Sequence, residues 1–199
     1  MQSGDQPSLF VFTAADRHAR EHLQSSISNS IDSKLLRRHL DAEFVESLRE
    51  QSGGGVYAWG ATPGPRNVPT WQRMKPGDYV LAYQARHYIF VARVIAKRDD
   101  ANFARDLWGT DKSGQTWQYM YFLTRPMEVD VSAESQAHIL PAAYQGFAGV
   151  SRDRIDRIVS QYGSNGAHRI QGFSLTGCGS CRPRWRCHAS GNNAASSGM

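Results

Sequence analysis

Cysteine is missing from the chain until Cys178; the three present, Cys178, Cys181 and Cys187, crowd together near the C-terminus. That excludes a disulfide framework for the body and fits a reducing, cytoplasmic compartment. No stretch approaches the roughly 18 consecutive apolar residues a membrane helix needs, so no membrane contact is expected. Met1 to Ser8 is polar and lacks the basic-then-apolar order of a secretory signal. Acidic residues are missing from Ser164 onward, where Arg169, Arg182, Arg184 and Arg186 stand among Gly, Ser, Asn and Ala. Residues 1 to 163 therefore hold 19 basic against 18 acidic side chains, and most of the net charge of +5 belongs to the tail. A near-neutral body does not bind polyanions through its overall field; any nucleic-acid contact needs a local patch and a pocket.

Catalytic signatures are missing too. The chain has no GxxxxGK[ST], GxGxxG, GxSxG or HExxH segment. Asp78 follows Gly77, but the Glu-x-Lys partner of a metal-dependent nuclease is not downstream. The seven histidines are dispersed and read as surface or capping residues. Cys178-x-x-Cys181 with Cys187 and His188 offers zinc-ligand types. Adjacent Cys187 and His188 rarely converge on one tetrahedral ion, however, so the expectation is a thiol-bearing tail without metal. Neither an enzyme nor a cofactor is anticipated.

What is present is a chain of short elements. Leu9 to Phe12 reads as a buried strand and Asp16 to Leu23 as a polar helix. Leu36, Leu40, Phe44 and Leu48 recur every four residues, predicting a core-facing helix over 32–50 with an Asp32 or Ser33 cap and a Gly53 stop. Val56 to Trp59 predicts a strand, followed by a Gly/Pro loop over 60–69. Pro76-Gly77 fits the centre of a type II turn leading into strands 79–83 and 88–96. Helix or turn at 102–108, strands at 116–123 and 127–131 and a last helix at 153–162 complete the body; 164–199 reads as a disordered or truncated low-complexity tail. Five or six strands without βαβ alternation predict the α+β class: a small, curved, mainly antiparallel β-barrel with helices packed outside.

Aromatic residues are the informative excess. Thirteen of the 21 Phe, Trp and Tyr residues fall between Tyr57 and Phe122, including four of the five tryptophans. A flat π face holds a base taken out of its stack at roughly 1–3 kcal/mol per contact. A single Trp is more often packed than stacked on a ligand. Trp71, at helical spacing from Met74, and Trp117, read as mid-strand, are assigned to the core. Trp59 and Trp108 stand at strand or loop ends, where a pocket wall is exposed.

At this point the residues resemble a known group. GVYAWG, W-x-x-MKPGD-Y-VLAYQ and YIFVARVIAK, in that order, resemble EVE/PUA-like domains. The block NFARDLWGTDKSGQTWQYMYFL is similar to the N-terminal DNA-recognition domain of McrB-type modification-dependent restriction proteins, and the likeness spans about 8–163. The resemblance implies a fold related to YTH domains, in which an aromatic cage takes up a flipped, methylated base. It implies Trp59 and Trp108 as cage walls, Tyr83 as floor, and Thr13 and Asp16 toward the base edge. Arg66, Arg73, Lys75, Arg86 and Arg105, which flank the aromatic segment, are the candidate phosphate contacts. The expected partner is methylated double-stranded DNA. No GTPase follows in this sequence; the effector of a restriction system is then either lost, or a separate nuclease or NTPase subunit, or cut off by a change of reading frame near Ser164. A YTH-type reader of modified RNA, and a non-catalytic scaffold or remnant, are the alternatives.

Overall fold

A computed structural model of the protein describes residues 6–140 and 143–162. The tail from 163 onward, with the Cys178–His188 set, lies outside the described residues. Among these residues no helix is long and apolar enough to cross a membrane.

The chain opens with β1 (Leu9–Thr13), α1 (Arg17–Leu23) and a π-helical turn at Gln24–Ser28. Next come α2 (Ser33–His39), α3 (Ala42–Ser52), β2 (Tyr57–Ala61), α4 (Asn67–Arg73), β3 (Tyr79–Gln84) and β4 (His87–Asp99). It closes with α5 (Ala101–Trp108), β5 (Tyr119–Leu123), β6 (Met127–Ser132), β7 (Phe147–Gly149) and α6 (Arg152–Tyr162).

The strands form one sheet in the order β2-β5-β4-β3-β1-β7, with β6 also on β4. β4 bends the sheet: its first half pairs with β3 and β6, its second half with β5, and the register slips between Val94 and Ala96. Bulges of this kind increase local twist, and the sheet curls into a half-barrel. The expected α+β architecture is therefore the one found, although β1 pairs with β3 in parallel, Leu9 opposite Tyr79 through Thr13 opposite Tyr83.

Three differences from the sequence reading have local causes. The single helix expected over 32–50 is two helices. Leu40 turns to extended backbone, and Asp41 starts α3 by accepting a hydrogen bond from the Phe44 amide at 2.7 Å. The stripe still faces inward, with Leu36, Leu40 and Leu48 buried and Phe44 half-buried. The loop expected over 60–69 already contains the start of α4, with Pro69 in its first turn, where a missing N–H costs nothing. The strand expected from Thr116 begins only at Tyr119.

The KPGD turn forms as predicted: the Asp78 amide donates to the Lys75 carbonyl at 3.1 Å, and Gly77 takes φ +96°. Buried Asp78 explains itself structurally. Its carboxylate accepts from the amides of Ser8 and Lys75, each at 2.7 Å, tying the turn to the start of β1.

Apolar side chains bury in three groups. Phe10, Phe12, Val80, Ala82, Tyr121 and Leu123 fill the half-barrel, and α1 with the π turn closes it through Ala19, Leu23 and Ile27. The outer face of β2 and β5 packs under α2, α3 and α5. The outer face of β1, β3 and β4 packs under α6 and residues 133–140. Period-two alternation sends neighbouring strand residues to opposite faces, so β3 places Val80 and Ala82 inside and Tyr79 and Leu81 outside.

Candidate nucleic-acid interface

Trp59 points into the half-barrel from β2 and stacks on Phe12 of β1, with ring centroids 4.4 Å apart and planes 25° apart. Such a pair contributes about 0.5–1.5 kcal/mol beyond its buried area and fixes one face of the indole. Trp108 ends α5, a helix started by the Asp100 carboxylate accepting from the Phe103 amide at 2.9 Å. Its Nε1–H donates to Ser26 Oγ of the π turn at 3.1 Å. Fold and capping thus bring the two indoles within 6.5 Å of each other, centroid to centroid, at an interplanar angle of 60°.

Two residues not assigned to the site from the sequence complete this nest. His22 of α1 lies 5.9 Å from the Trp108 ring, 6.4 Å from Trp59 and 4.2 Å, edge-on, from Trp117. Its Nε2–H donates to the Trp108 carbonyl at 3.1 Å. Burial lowers its pKa below the ordinary histidine value, against the opposing pull of that hydrogen bond. Trp117 is half-buried in the loop before β5 rather than mid-strand. That loop is braced by Asp111, whose carboxylate accepts from the Ser113 and Gln115 amides, and by Thr116 Oγ1–H donating to the Gly109 carbonyl at 2.8 Å.

Gly60 lets these parts approach. A Cβ there would lie 2.2 Å from the Trp117 carbonyl oxygen and 2.8 Å from the Trp108 ring. The nest is closed: Trp59 is 5%, His22 6% and Trp108 8% exposed. A planar ring held between two parallel faces needs roughly 7 Å between them, twice a carbon contact distance. The indoles stand at nearly that separation but are not parallel, so no flat ring fits between them as they stand.

The other anticipated positions are more scattered. Thr13 ends β1, its Oγ1 accepting from the Gly146 amide at 3.0 Å. Exposed Asp16 caps α1, its carboxylate accepting from the Ala19 amide at 2.8 Å. Tyr83 lies with the outer group, edge-on to Tyr88 and Tyr144 at 5.7 and 6.0 Å. The structure does not bring it to the two indoles. Arg66, Arg73 and Lys75, all exposed, flank α4 just after β2. Exposed Arg105 donates to Asn102 Oδ1 on α5, and Arg86 at the β3–β4 turn pairs with Glu134 at 3.7 Å.

Trp71 is half-buried. Its Nε1–H donates to the Met120 carbonyl at 3.0 Å, and Lys97 Nζ lies 4.2 Å from its ring centroid. A cleft of about 540 Å³ opens beside Tyr57, two residues before Trp59, between Ile27, Phe90, Arg125 and Met127. Among the described residues no three His, Cys, Asp or Glu side chains converge as metal ligands.

No protein-family model matches the sequence, and no curated relative matches it. Similar folds occur among solved structures. The N-terminal domain of McrB from Thermococcus gammatolerans, bound to m5C DNA, superposes with a TM-score of 0.59 at 16% identity, over 84% of this chain and 99% of that one. More distant are the YTH domain of MRB1 from Zygosaccharomyces rouxii with N6-methyladenosine RNA (TM-score 0.41, 15% identity, 82% and 91% covered) and human THYN1 with 5-methylcytosine-containing DNA (0.39, 12%, 77% and 96%). The chain has the fold of the McrB N-terminal domain, the PUA-like half-barrel that the sequence motifs implied.

Proposed function

We propose that this protein reads methylated bases in double-stranded DNA by taking a flipped base into the nest of Trp59 and Trp108. The observation that carries the reading is the convergence of these two indoles, from β2 and α5, on a fold whose Thermococcus representative is bound to m5C DNA. Trp59 is the fixed platform, because Phe12 already holds one of its faces. Trp108 and the half-buried Trp117 are the walls that turn aside. An extruded base then exchanges stacking in the duplex for stacking on indole. Its methyl group is selected by apolar fit, worth roughly 1–3 kcal/mol. Arg66, Arg73 and Lys75 beside α4, with Arg86 and Arg105, meet the phosphates and set register rather than sequence. The protein performs no chemistry on the base and serves a restriction or defence system through a separate nuclease or NTPase subunit.

The test is fluorescence anisotropy with a labelled duplex, methylated or not, using the wild type, Trp59→Ala and Trp108→Ala, each checked for folding by thermal melting. The expected result is that folded variants bind methylated duplex no better than unmethylated. A folded Trp59→Ala or Trp108→Ala protein with wild-type preference removes that residue from the site. Matched single-stranded RNA bound more tightly than duplex DNA overturns the assignment to DNA.

A further inference from the structure

The nest is apolar except for a few ring atoms, and their hydrogen bonds decide which edge of a base it welcomes. Ser26 Oγ is engaged in both senses: it accepts from Trp108 Nε1–H at 3.1 Å and donates to the His22 carbonyl at 2.9 Å. Indole N–H groups only donate. His22 differs. The Trp108 carbonyl can only accept, so the hydrogen bond at 3.1 Å puts the imidazole proton on Nε2. Nδ1 of the neutral ring is then an acceptor, and it takes no partner among the described residues. Burial favours that neutral form. The imidazole is centred 5.9 Å from one wall and 6.4 Å from the other, so its unpaired acceptor belongs to the same cluster of rings as the two indoles. A few well-placed polar groups in an apolar pocket fix a ligand's orientation and identity.

Resting on the reading above, we propose that His22 is the residue that identifies the base: its Nδ1 accepts a hydrogen bond from the exocyclic amino group. Bases of the cytosine and adenine type, which carry that amino group, are thereby preferred to their oxo counterparts. An oxo group would set a second acceptor against Nδ1, leaving both without a donor. This assigns His22 a positioning and specificity role; stacking on Trp59 supplies the bulk of the affinity.

Two duplexes test this, one with 5-methylcytosine and one with thymine at the target position. The two bases carry the same methyl group and differ at the 4-amino or 4-oxo substituent and the N3 proton. Wild-type protein is expected to prefer 5-methylcytosine by about tenfold, the effect of one hydrogen bond gained or left unmade. His22→Phe keeps a flat ring and is expected to bring the ratio close to one. Nitrogen-15 NMR of histidine-labelled wild type provides a second readout independent of any variant: the His22 Nδ1 resonance should move with the 5-methylcytosine duplex and not with the thymine duplex. A folded His22→Phe protein with the wild-type ratio, or an Nδ1 resonance unmoved by saturating 5-methylcytosine duplex, overturns the proposal. Wild type that binds neither duplex above an unmethylated control removes the base-reading function itself and this assignment with it.

Discussion

Gly60 offers the sharpest perturbation. It sits between Trp59 and Ala61 in β2, and it is the place where β2 passes under the loop that carries Trp117. A methyl group added there meets the Trp117 carbonyl oxygen at 2.2 Å, the Trp108 ring at 2.8 Å and Trp117 Cβ at 3.0 Å. The nearest of these is backbone, in a loop braced by Asp111 and Thr116, so it cannot swing away as a side-chain tip would. The chain must shift by about an ångström, and overpacking of that kind costs typically 1–3 kcal/mol. For a domain of this size each kcal/mol moves the melting temperature by about 2–4 °C, so Gly60→Ala should melt roughly 2–12 °C below wild type. The same displacement pries Trp108 from Trp59, so indole emission should shift to the red. Circular dichroism melts and emission spectra measure both. A Gly60→Ala protein that melts within 1 °C of wild type, with unchanged emission, would refute the argument that this close approach holds the nest shut.

Other consequences follow from single groups. Tyr121 lies wholly inside the half-barrel and its hydroxyl has no partner among the described residues, so Tyr121→Phe should raise stability by up to about 1 kcal/mol in urea titrations. A clear loss would mean that the hydroxyl is satisfied after all. Lys97 Nζ donates to the carbonyls of Trp71 at 2.5 Å and Met74 at 2.6 Å, binding the end of α4 to β4. Lys97→Met should cost roughly 1.5–3 kcal/mol and red-shift Trp71, since charged hydrogen bonds are of that strength. His22 sets a pH dependence. Its folded pKa lies below the ordinary value, so under about pH 6.5 the unfolded chain takes up a proton that the folded one resists. Stability should therefore fall as pH drops from 7.5 to 5.5, by at most about 1.4 kcal/mol per unit from this residue, and His22→Gln should flatten that slope.

Much of the architecture was legible because local signals agreed with the packed result. The KPGD turn, the hairpin of β3 and β4 and the inward stripe Leu36, Leu40, Leu48 all depend on neighbours close in sequence. The break at Leu40 was readable in principle, since Asp41 stands three residues before the Phe44 amide that it caps. What escaped depends on distant partners. Thr116 to Gln118 have strand-like composition, yet Thr116 is tied back to Gly109, and only then does the chain enter β5. The parallel pairing of β1 with β3 and the three-residue β7 leave no periodicity to detect. His22 is one of seven histidines dispersed along the chain, and no motif sets it apart. Its spacing with the buried Ala19, Leu23, Ser26 and Ile27 marks the inward face of α1 and the π turn, and that pattern could have singled it out. Trp59 and Trp108 stand at element ends that the family resemblance also marks, and their approach across the fold appears only in three dimensions.

The most direct measurement is the affinity of unmutated protein for one duplex in two forms, identical except for a single methylated base, at fixed salt. The methylated form should bind more tightly by about tenfold, the free-energy scale of a buried methyl group between indole faces. Equal affinity for the two forms would contradict it.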